Sequence, residues 1–128
     1  MEVSKLREIS NYVLEAVELA SDIVMEIYNS ADFKVKEKLD GSPLTIADKK
    51  CHEILCSSLK SIDANIPILS EEGDTKANIE DLFWLIDPLD GTKEFINKNG
   101  EFTVNVALIE HGKPILGVVS APAVHEIF

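Results

Sequence analysis

The feature that most constrains the fold is a change in the spacing of apolar residues near Asp63. Before Asp63, apolar side chains recur every three to four residues, which is typical of amphipathic helices. After it, short apolar runs alternate with turn-forming residues, which is typical of strands. A chain of this kind buries its apolar surface by packing helices against a sheet. The expected fold class is therefore α+β, with two helices packed on a mainly antiparallel sheet.

Two helices are expected in the first half of the chain. The apolar stripe of the first covers residues 6–27, and that of the second covers residues 47–62. Thr45 precedes the second stripe and belongs to the residue types that cap helix N-termini. Asp48 follows Thr45 by three residues, so this pair is typical of a capping box.

The second half predicts strands joined by turns. Residues 82–86 form a short, continuous apolar run, which indicates a buried strand, and residues 87–92 predict a loop. A short helix is expected at 93–97. The segments 102–109 and 115–119 predict a hairpin with a turn of about four residues.

Composition narrows the classes of function. The net charge of −11 argues against binding a nucleic acid polymer, which requires many Lys and Arg side chains. Cys51 and Cys56 have neither CxxC nor Cys/His metal-site spacing, so a reduced cytoplasmic protein is the simpler interpretation. No apolar run approaches the ~18 residues of a membrane span, and the N-terminus lacks the apolar core of a signal peptide.

Carboxylates follow two of the expected strands. Glu71 comes just after one apolar run, and Asp87 and Asp90 come just after another. Carboxylates that converge from strand ends repel one another unless hard cations lie among them, and magnesium suits such a site. Pro88 stiffens the intervening turn, and Gly91 permits a close approach of backbone to ligand. Gly91 and the residue after it would also open the short helix, where free N–H groups bind anions.

Each piece also has an ordinary interpretation. Acidic turns are usually solvated, Asp-Pro and Asp-Gly pairs commonly form turns, and Asp48 alone is more often a capping acid than a catalytic group. Other reactive side chains are assigned to core or surface: Cys51, Cys56, Trp84, His52, His111 and His125. The combination of an acidic turn, a buried strand and a second acidic turn that opens a helix favours a functional site.

Three segments, 42–48, 68–73 and 84–95, resemble the signatures of the inositol monophosphatase superfamily. The segments 93–95 and 99–105 resemble its bacterial 3′(2′),5′-bisphosphate nucleotidase branch. The resemblance implies half of a layered α-β-α-β-α sugar-phosphatase fold. Residues 1–128 would form the N-terminal metal-binding domain, with the C-terminal half missing.

The resemblance also implies the site. Magnesium would be bound by Glu71, Asp87, Asp90 and the backbone carbonyl of Leu89. The residues expected to bind substrate are Glu71, Leu89, Asp90, Gly91 and Thr92. The residues expected to take part in catalysis are Glu71, Thr92 and Asp48. Lys38 is expected near the site.

The implied function is magnesium-dependent phosphomonoester hydrolysis, converting 3′-phosphoadenosine 5′-phosphate, a by-product of sulfate assimilation, to AMP and phosphate. The partner would be a small phosphorylated substrate, and the location cytoplasmic or peripheral at the inner membrane. Inositol monophosphatase or fructose-1,6-bisphosphatase activity stays open as an alternative. So does an inactive truncated or split-gene fragment, because the superfamily's second-half Trp-Asp motif is absent and Leu85 follows Trp84.

Half of a layered fold exposes the sheet face that the other half would cover. We expect this exposed face to include five apolar residues, which are Val104, Val106, Leu108, Leu116 and Val118. Large apolar patches on soluble proteins usually indicate association. The chain is therefore expected to form a homo-oligomer or to pair with a missing C-terminal half.

Overall fold

The computed structural model describes residues 1–30, 35–37, 43–70 and 81–128. The predictions for Glu71 and Lys38 lie outside the described residues. The elements in chain order are α1 (Val3–Tyr28), β1 (Val35–Glu37), β2 (Pro43–Thr45), α2 (Ile46–Ile62), β3 (Ile68–Ser70), β4 (Leu82–Asp90), α3 (Thr92–Ile96), β5 (Thr103–Glu110), β6 (Lys113–Ala121), a 3-10 turn (Pro122–Val124) and β7 (Glu126–Ile127).

Both long helices are confirmed, and they pack against each other and against the sheet. The capping box at the start of α2 is confirmed as well. The Thr45 backbone N–H donates to Asp48 Oδ2 at 2.9 Å, and the Asp48 N–H donates to Thr45 Oγ1 at 3.4 Å. This exchange satisfies backbone donors that a helix start otherwise leaves without partners. Among the described residues, no helix is both long and apolar enough to cross a membrane.

The main sheet is mainly antiparallel, as expected. Within the described part of the chain its strands lie in the order β3-β4-β5-β6-β7, and only the β3–β4 pair is parallel. β1 and β2 form a separate antiparallel pair. The last strand pairs with β6, where Ser120 lies opposite Ile127.

Two local predictions were wrong. β4 does not end at Ile86 but continues to Asp90, with a shift in its register to β5 between Asp87 and Asp90. The turn between β5 and β6 has two residues rather than four. His111 and Gly112 both have positive φ, at 50° and 77°, which matches the twist of a two-residue hairpin turn.

The face of the sheet expected to be exposed is the one that the helices cover. Val104 and Leu108 are fully buried, and Val106 and Val118 are 3% exposed. Across the strands these side chains align with Trp84 and Ile86 of β4, which are also buried. Leu116, the fifth residue of the expected face, is half-buried and packs against the same core. This face forms the core with α1 and α2, and we call it the covered face.

The intervening residues form the opposite face, which we call the open face. One row across it contains Leu69, Leu85, Ala107 and Gly117. The next row contains Asp87, Asn105 and Val119. Leu85 is 42% exposed and Val119 is 39% exposed. The prediction therefore named the wrong alternate residues as the exposed apolar face. Neighbouring residues of a strand point to opposite faces, so a shift of one residue exchanges the two faces.

An aromatic cluster fixes α3 against the end of α1. The ring of Tyr28 lies 5.3 Å from that of Phe95 and 4.9 Å from that of Phe102, measured between centroids. Phe95 and Phe102 meet edge to face at 5.2 Å. The Lys98 ammonium lies 4.4 Å from the centre of the Tyr28 ring. These contacts hold the short helix, and with it Thr92, in a defined position.

Candidate functional site

The end of β4 and the start of α3 bring together most of the predicted site residues that the structure describes. Asp87 and Asp90 line one groove of about 570 Å³ on the open face. Asp87 is half-buried, whereas Asp90 is exposed. The predicted partner Glu71 lies outside the described residues, although Ser70 immediately before it lines the same groove.

The turn between these carboxylates is a bulge. β4 pairs with β5 at Asp87–Asn105 and again at Asp90–Thr103. Pro88 and Leu89 therefore stand opposite a single residue of β5. A bulge of this kind redirects the strand and re-aims its side chains. Leu89 buries its side chain, so its role in the predicted site would rest on its backbone carbonyl.

Asp48 is fully buried at the start of α2, and its carboxylate contacts two elements. Asp48 Oδ2 accepts hydrogen bonds from the Thr45 backbone and from Thr45 Oγ1 at 2.9 and 2.5 Å. Asp48 Oδ1 accepts a hydrogen bond from Thr92 Oγ1 at 3.0 Å. The same carboxylate is thus a capping-box acid and a partner of the predicted catalytic hydroxyl.

Gly91 joins the bulge to α3 in a conformation that favours glycine. Its φ is 89°, and a Cβ placed there would lie 2.7 Å from the Glu101 carbonyl oxygen. The following residue, Thr92, directs its hydroxyl to Asp48 and lies 3.4 Å from the Leu89 carbonyl oxygen. The backbone at Gly91 therefore sets where the Thr92 hydroxyl lies. α3 itself has only five residues.

Sequence reasoning assigned Cys51 to the core, and the structure adds a polar contact. The Cys51 thiol is fully buried and donates a hydrogen bond to the Pro88 carbonyl oxygen at 3.0 Å. Burial raises the pKa of the Cys51 thiol far above its usual value, and the negative charges of Asp48 and Asp87 raise it further. The thiol consequently stays protonated at neutral pH and acts as a donor.

His52 was assigned no role in the site, yet it contacts the end of β3. Its Nδ1 lies 2.9 Å from Ser70 Oγ. Asp48, Cys51 and His52 are spaced i, i+3 and i+4, which places them on neighbouring parts of one helix surface. Their partners lie in three separate segments: Thr92 in α3, Pro88 in the bulge and Ser70 at the end of β3.

The oxygen atoms of the described residues suit a hard cation, but they are too few to form a complete metal site. Carboxylate and carbonyl oxygens are the ligands that magnesium prefers, and Asp87, Asp90 and the Leu89 carbonyl supply both kinds. Within the described ranges, which exclude residues 71–80, no group of three or more His, Cys, Asp or Glu side chains could hold a metal ion. A site here would therefore need a further ligand besides the two aspartates.

Comparisons with known proteins agree with this architecture. The chain is 48% identical over 113 residues to the 3′(2′),5′-bisphosphate nucleotidase CysQ of Escherichia coli O157:H7, covering 85% of this chain and 46% of that protein. The crystal structure of CysQ from Bacteroides thetaiotaomicron, described as a bacterial member of the inositol monophosphatase family, matches with a TM-score of 0.70 at 38% identity. That match covers 90% of this chain and 42% of the other.

A further solved structure, the extragenic suppressor protein suhB of Bartonella henselae, superposes with a TM-score of 0.87 at 26% identity, covering 94% of this chain and 48% of that one. The chain thus spans about half the length of the curated relatives and solved structures that it matches. Residues 5–128 match the sequence profile of the inositol monophosphatase family. This match covers nearly the whole chain, and the chain belongs to the inositol monophosphatase family.

Proposed function

We propose that this chain provides the metal- and phosphate-binding part of a magnesium-dependent phosphatase that acts on 3′(2′),5′-bisphosphate nucleotides. The observation that carries the proposal is the hydrogen bond to buried Asp48 from Thr92, two residues after Asp90, which lines a groove together with Asp87. The substrate class rests on the 48% identity to a bisphosphate nucleotidase. The preferred substrate is 3′-phosphoadenosine 5′-phosphate, and the products are AMP and phosphate.

Asp87, Asp90, the Leu89 carbonyl and Glu71 would hold magnesium. When bound, magnesium stabilises the charge of the phosphoryl group and makes water more acidic. The chain's own residues contribute by orienting the attacking water. Because the Thr92 hydroxyl donates its proton towards Asp48, its oxygen lone pairs can accept a hydrogen bond from the attacking water.

Asp48 has a second role in the proposed mechanism. Its buried carboxylate holds the Thr92 hydroxyl in one orientation and can receive the proton that the water loses through Thr92. The turn at Gly91 lets the backbone approach the phosphate closely, and N–H groups at Gly91 and Thr92 would donate to its oxygens. Glu71 would also help to orient the water.

Phosphate release from three substrates tests the proposal. This chain would be assayed alone and mixed with the remaining half of the Escherichia coli relative, with 3′-phosphoadenosine 5′-phosphate, inositol 1-phosphate or fructose 1,6-bisphosphate. We expect magnesium-dependent hydrolysis, fastest with the nucleotide. A preference for inositol phosphate or fructose bisphosphate would assign the chain to those activities instead. If the chain neither bound magnesium nor showed activity, alone or mixed with the other half, it would be a non-catalytic fragment.

A pair of Thr92 variants links the activity to the proposed geometry. Thr92→Ser keeps the hydroxyl, and Thr92→Val keeps the shape without it. We expect Thr92→Val to lower kcat by about a hundredfold or more, since a positioned proton-transfer group contributes about that much. Thr92→Ser should keep most of the activity. Equal activity of the two variants would contradict a role for the hydroxyl.

Both cysteines are free thiols, Cys51 buried and Cys56 half-buried. The reduced environment expected from the sequence stays a prediction. The cytoplasmic location stays a prediction, as does association with a further half or a second copy.

A further inference from the structure

The bulge at the end of β4 contains Pro88, a buried residue that has no register partner on β5. Pro88 is buried, and the register of β4 and β5 passes from Asp87 to Asp90 without pairing Pro88 or Leu89. Pro88 itself has no N–H, so it cannot contribute a donor to hold the bulge. A buried carbonyl without a donor costs about 1–3 kcal/mol. A donor from another element would offset this cost for the Pro88 carbonyl.

The Cys51 thiol supplies that donor from α2, at 3.0 Å from the Pro88 oxygen. Pro88 lies directly after Asp87, and it is followed by Leu89 and Asp90. All three of these neighbours are proposed magnesium ligands. A contact that fixes the Pro88 carbonyl therefore fixes the peptide units that carry the ligands on either side of it.

We propose that Cys51 is a positioning residue for the magnesium site, acting through its hydrogen bond to the Pro88 carbonyl. The proposal rests on the proposed function, since it concerns the ligands assigned there. Cys51 does not touch the cation. It holds the bulge in the shape that aims the Asp87 and Asp90 carboxylates into one groove.

The alternative is that Cys51 only fills space in the core, where it is 0% exposed. Three substitutions separate the two roles. Cys51→Ser keeps a hydroxyl donor in a slightly smaller side chain. Cys51→Val has no donor and fills comparable volume, and Cys51→Ala has no donor and leaves a small cavity. A space-filling role predicts that Val is the mildest change, whereas a positioning role predicts that Ser is.

Isothermal titration with magnesium is the first readout, at a temperature where each variant is folded. We expect Cys51→Val and Cys51→Ala to weaken magnesium affinity by about tenfold or more, which is the usual loss when an outer contact of a metal ligand is removed. Cys51→Ser should stay within about threefold of the original chain. Magnesium affinity that follows side-chain volume instead would overturn the proposal, as would unchanged affinity in all three variants.

Cys56 offers a matched control on the same helix. Its thiol is half-buried, and its contact is with His52 Nε2 at 3.6 Å rather than with the Pro88 carbonyl. Cys56→Ala should leave magnesium affinity unchanged. A loss as large as that of Cys51→Ala would show that any cysteine substitution in α2 disturbs the site, and it would overturn the specific role of Cys51.

Hydrogen exchange of the backbone amides at residues 87 and 89–92 tests the bulge without any metal. We expect exchange there to be about tenfold faster in Cys51→Val than in Cys51→Ser, relative to amides in the middle of β5. Equal exchange in the two variants would overturn the proposal. If the original chain failed to bind magnesium, the proposed function would fail. The exchange result would still decide whether Cys51 orders the bulge.

Discussion

The two faces of the sheet differ although the same strands make both. On the covered face, Trp84 and Ile86 are 0% and 1% exposed and pack under the two long helices. On the open face, Leu85 is 42% exposed, and Asp87, in the next row, lines the groove. Adjacent residues of β4 therefore serve stability on one side and the proposed site on the other. Substitutions one residue apart should have different effects, and the predictions below are given in order of the expected change in unfolding free energy.

Trp84→Ala should have the largest effect, because it empties a large and fully buried aromatic position of the covered face. We expect a loss of about 3–5 kcal/mol, measured by denaturant unfolding. Leu85→Ala, one residue further along β4, should cost about 1 kcal/mol or less. Equal losses at the two positions would mean that the two faces do not differ as described.

Trp84→Phe refines the same comparison. The Trp84 indole N–H has no hydrogen-bond partner among the described residues. Phe keeps an aromatic ring and removes that buried donor, so its loss should be well below that of Ala. A loss equal to that of Trp84→Ala would contradict this expectation.

Gly91→Ala probes the point where the chain passes from the open face, at Asp90, to the side of α2, at Thr92. A non-glycine residue at φ 89° is strained, and its Cβ would also meet the Glu101 carbonyl oxygen at 2.7 Å. We expect a loss of at least about 2 kcal/mol. Gly112→Ala is the control, since φ there is 77° but no atom lies within 4 Å of the added Cβ. Gly112→Ala should lower the unfolding free energy by about 1 kcal/mol. Equal losses for the two variants would show that the close contact at Gly91 has no effect on stability.

Leu85→Lys should change association more than stability. Leu85 and Val119 expose apolar surface beside Leu69 and Ala107, so we expect this chain to associate with a second copy through the open face. Light scattering should show a smaller average mass for Leu85→Lys, with unfolding free energy changed by about 1 kcal/mol or less. A monomeric original chain, or an unchanged mass in the variant, would contradict this assignment.

Asp90→Asn should change stability least, within about 0.5 kcal/mol, because Asp90 is exposed and the change removes only charge. Magnesium should raise the Tm of the original chain, since a ligand that binds only the folded state stabilises it. The variant should lose most of that increase. A thermal melt with and without millimolar magnesium measures both. An equal rise in Tm for the two proteins would exclude Asp90 as a ligand.

Much of this fold could be predicted because its signals are local. The helix spacing, the Thr45–Asp48 capping box and the apolar strand at 82–86 each depend on residues near one another in sequence. The acidic segment before Thr92 could be recognised for the same reason. The proposed roles of these residues stay predictions.

The choice of face could not be made from the sequence in the same way. β5 is apolar at Val104, Val106 and Leu108, and this alternation shows which residues share a face. It does not show whether helices or solvent lie opposite them. That depends on how α1 and α2 pack on the sheet, which is a long-range property. The length of β4 was missed because Pro88 argues against a central strand, whereas a bulge accommodates it.

The contacts from α2 to the site were missed for a related reason. Cys51 and His52 meet Pro88 and Ser70, which are 37 and 18 residues away in sequence. Only the spacing from Asp48 could have suggested them, by placing all three on one helix surface. Cysteine and histidine on such a surface are ordinary core or surface residues unless their partners are known.

The capping box has a consequence for what a substitution of its acidic residue would do. Asp48 caps the start of α2 through one carboxylate oxygen and orients the Thr92 hydroxyl through the other. A substitution of Asp48 would therefore act twice, once through the start of α2 and once through the orientation of Thr92. A side chain that preserved only the helix start would still misdirect the hydroxyl.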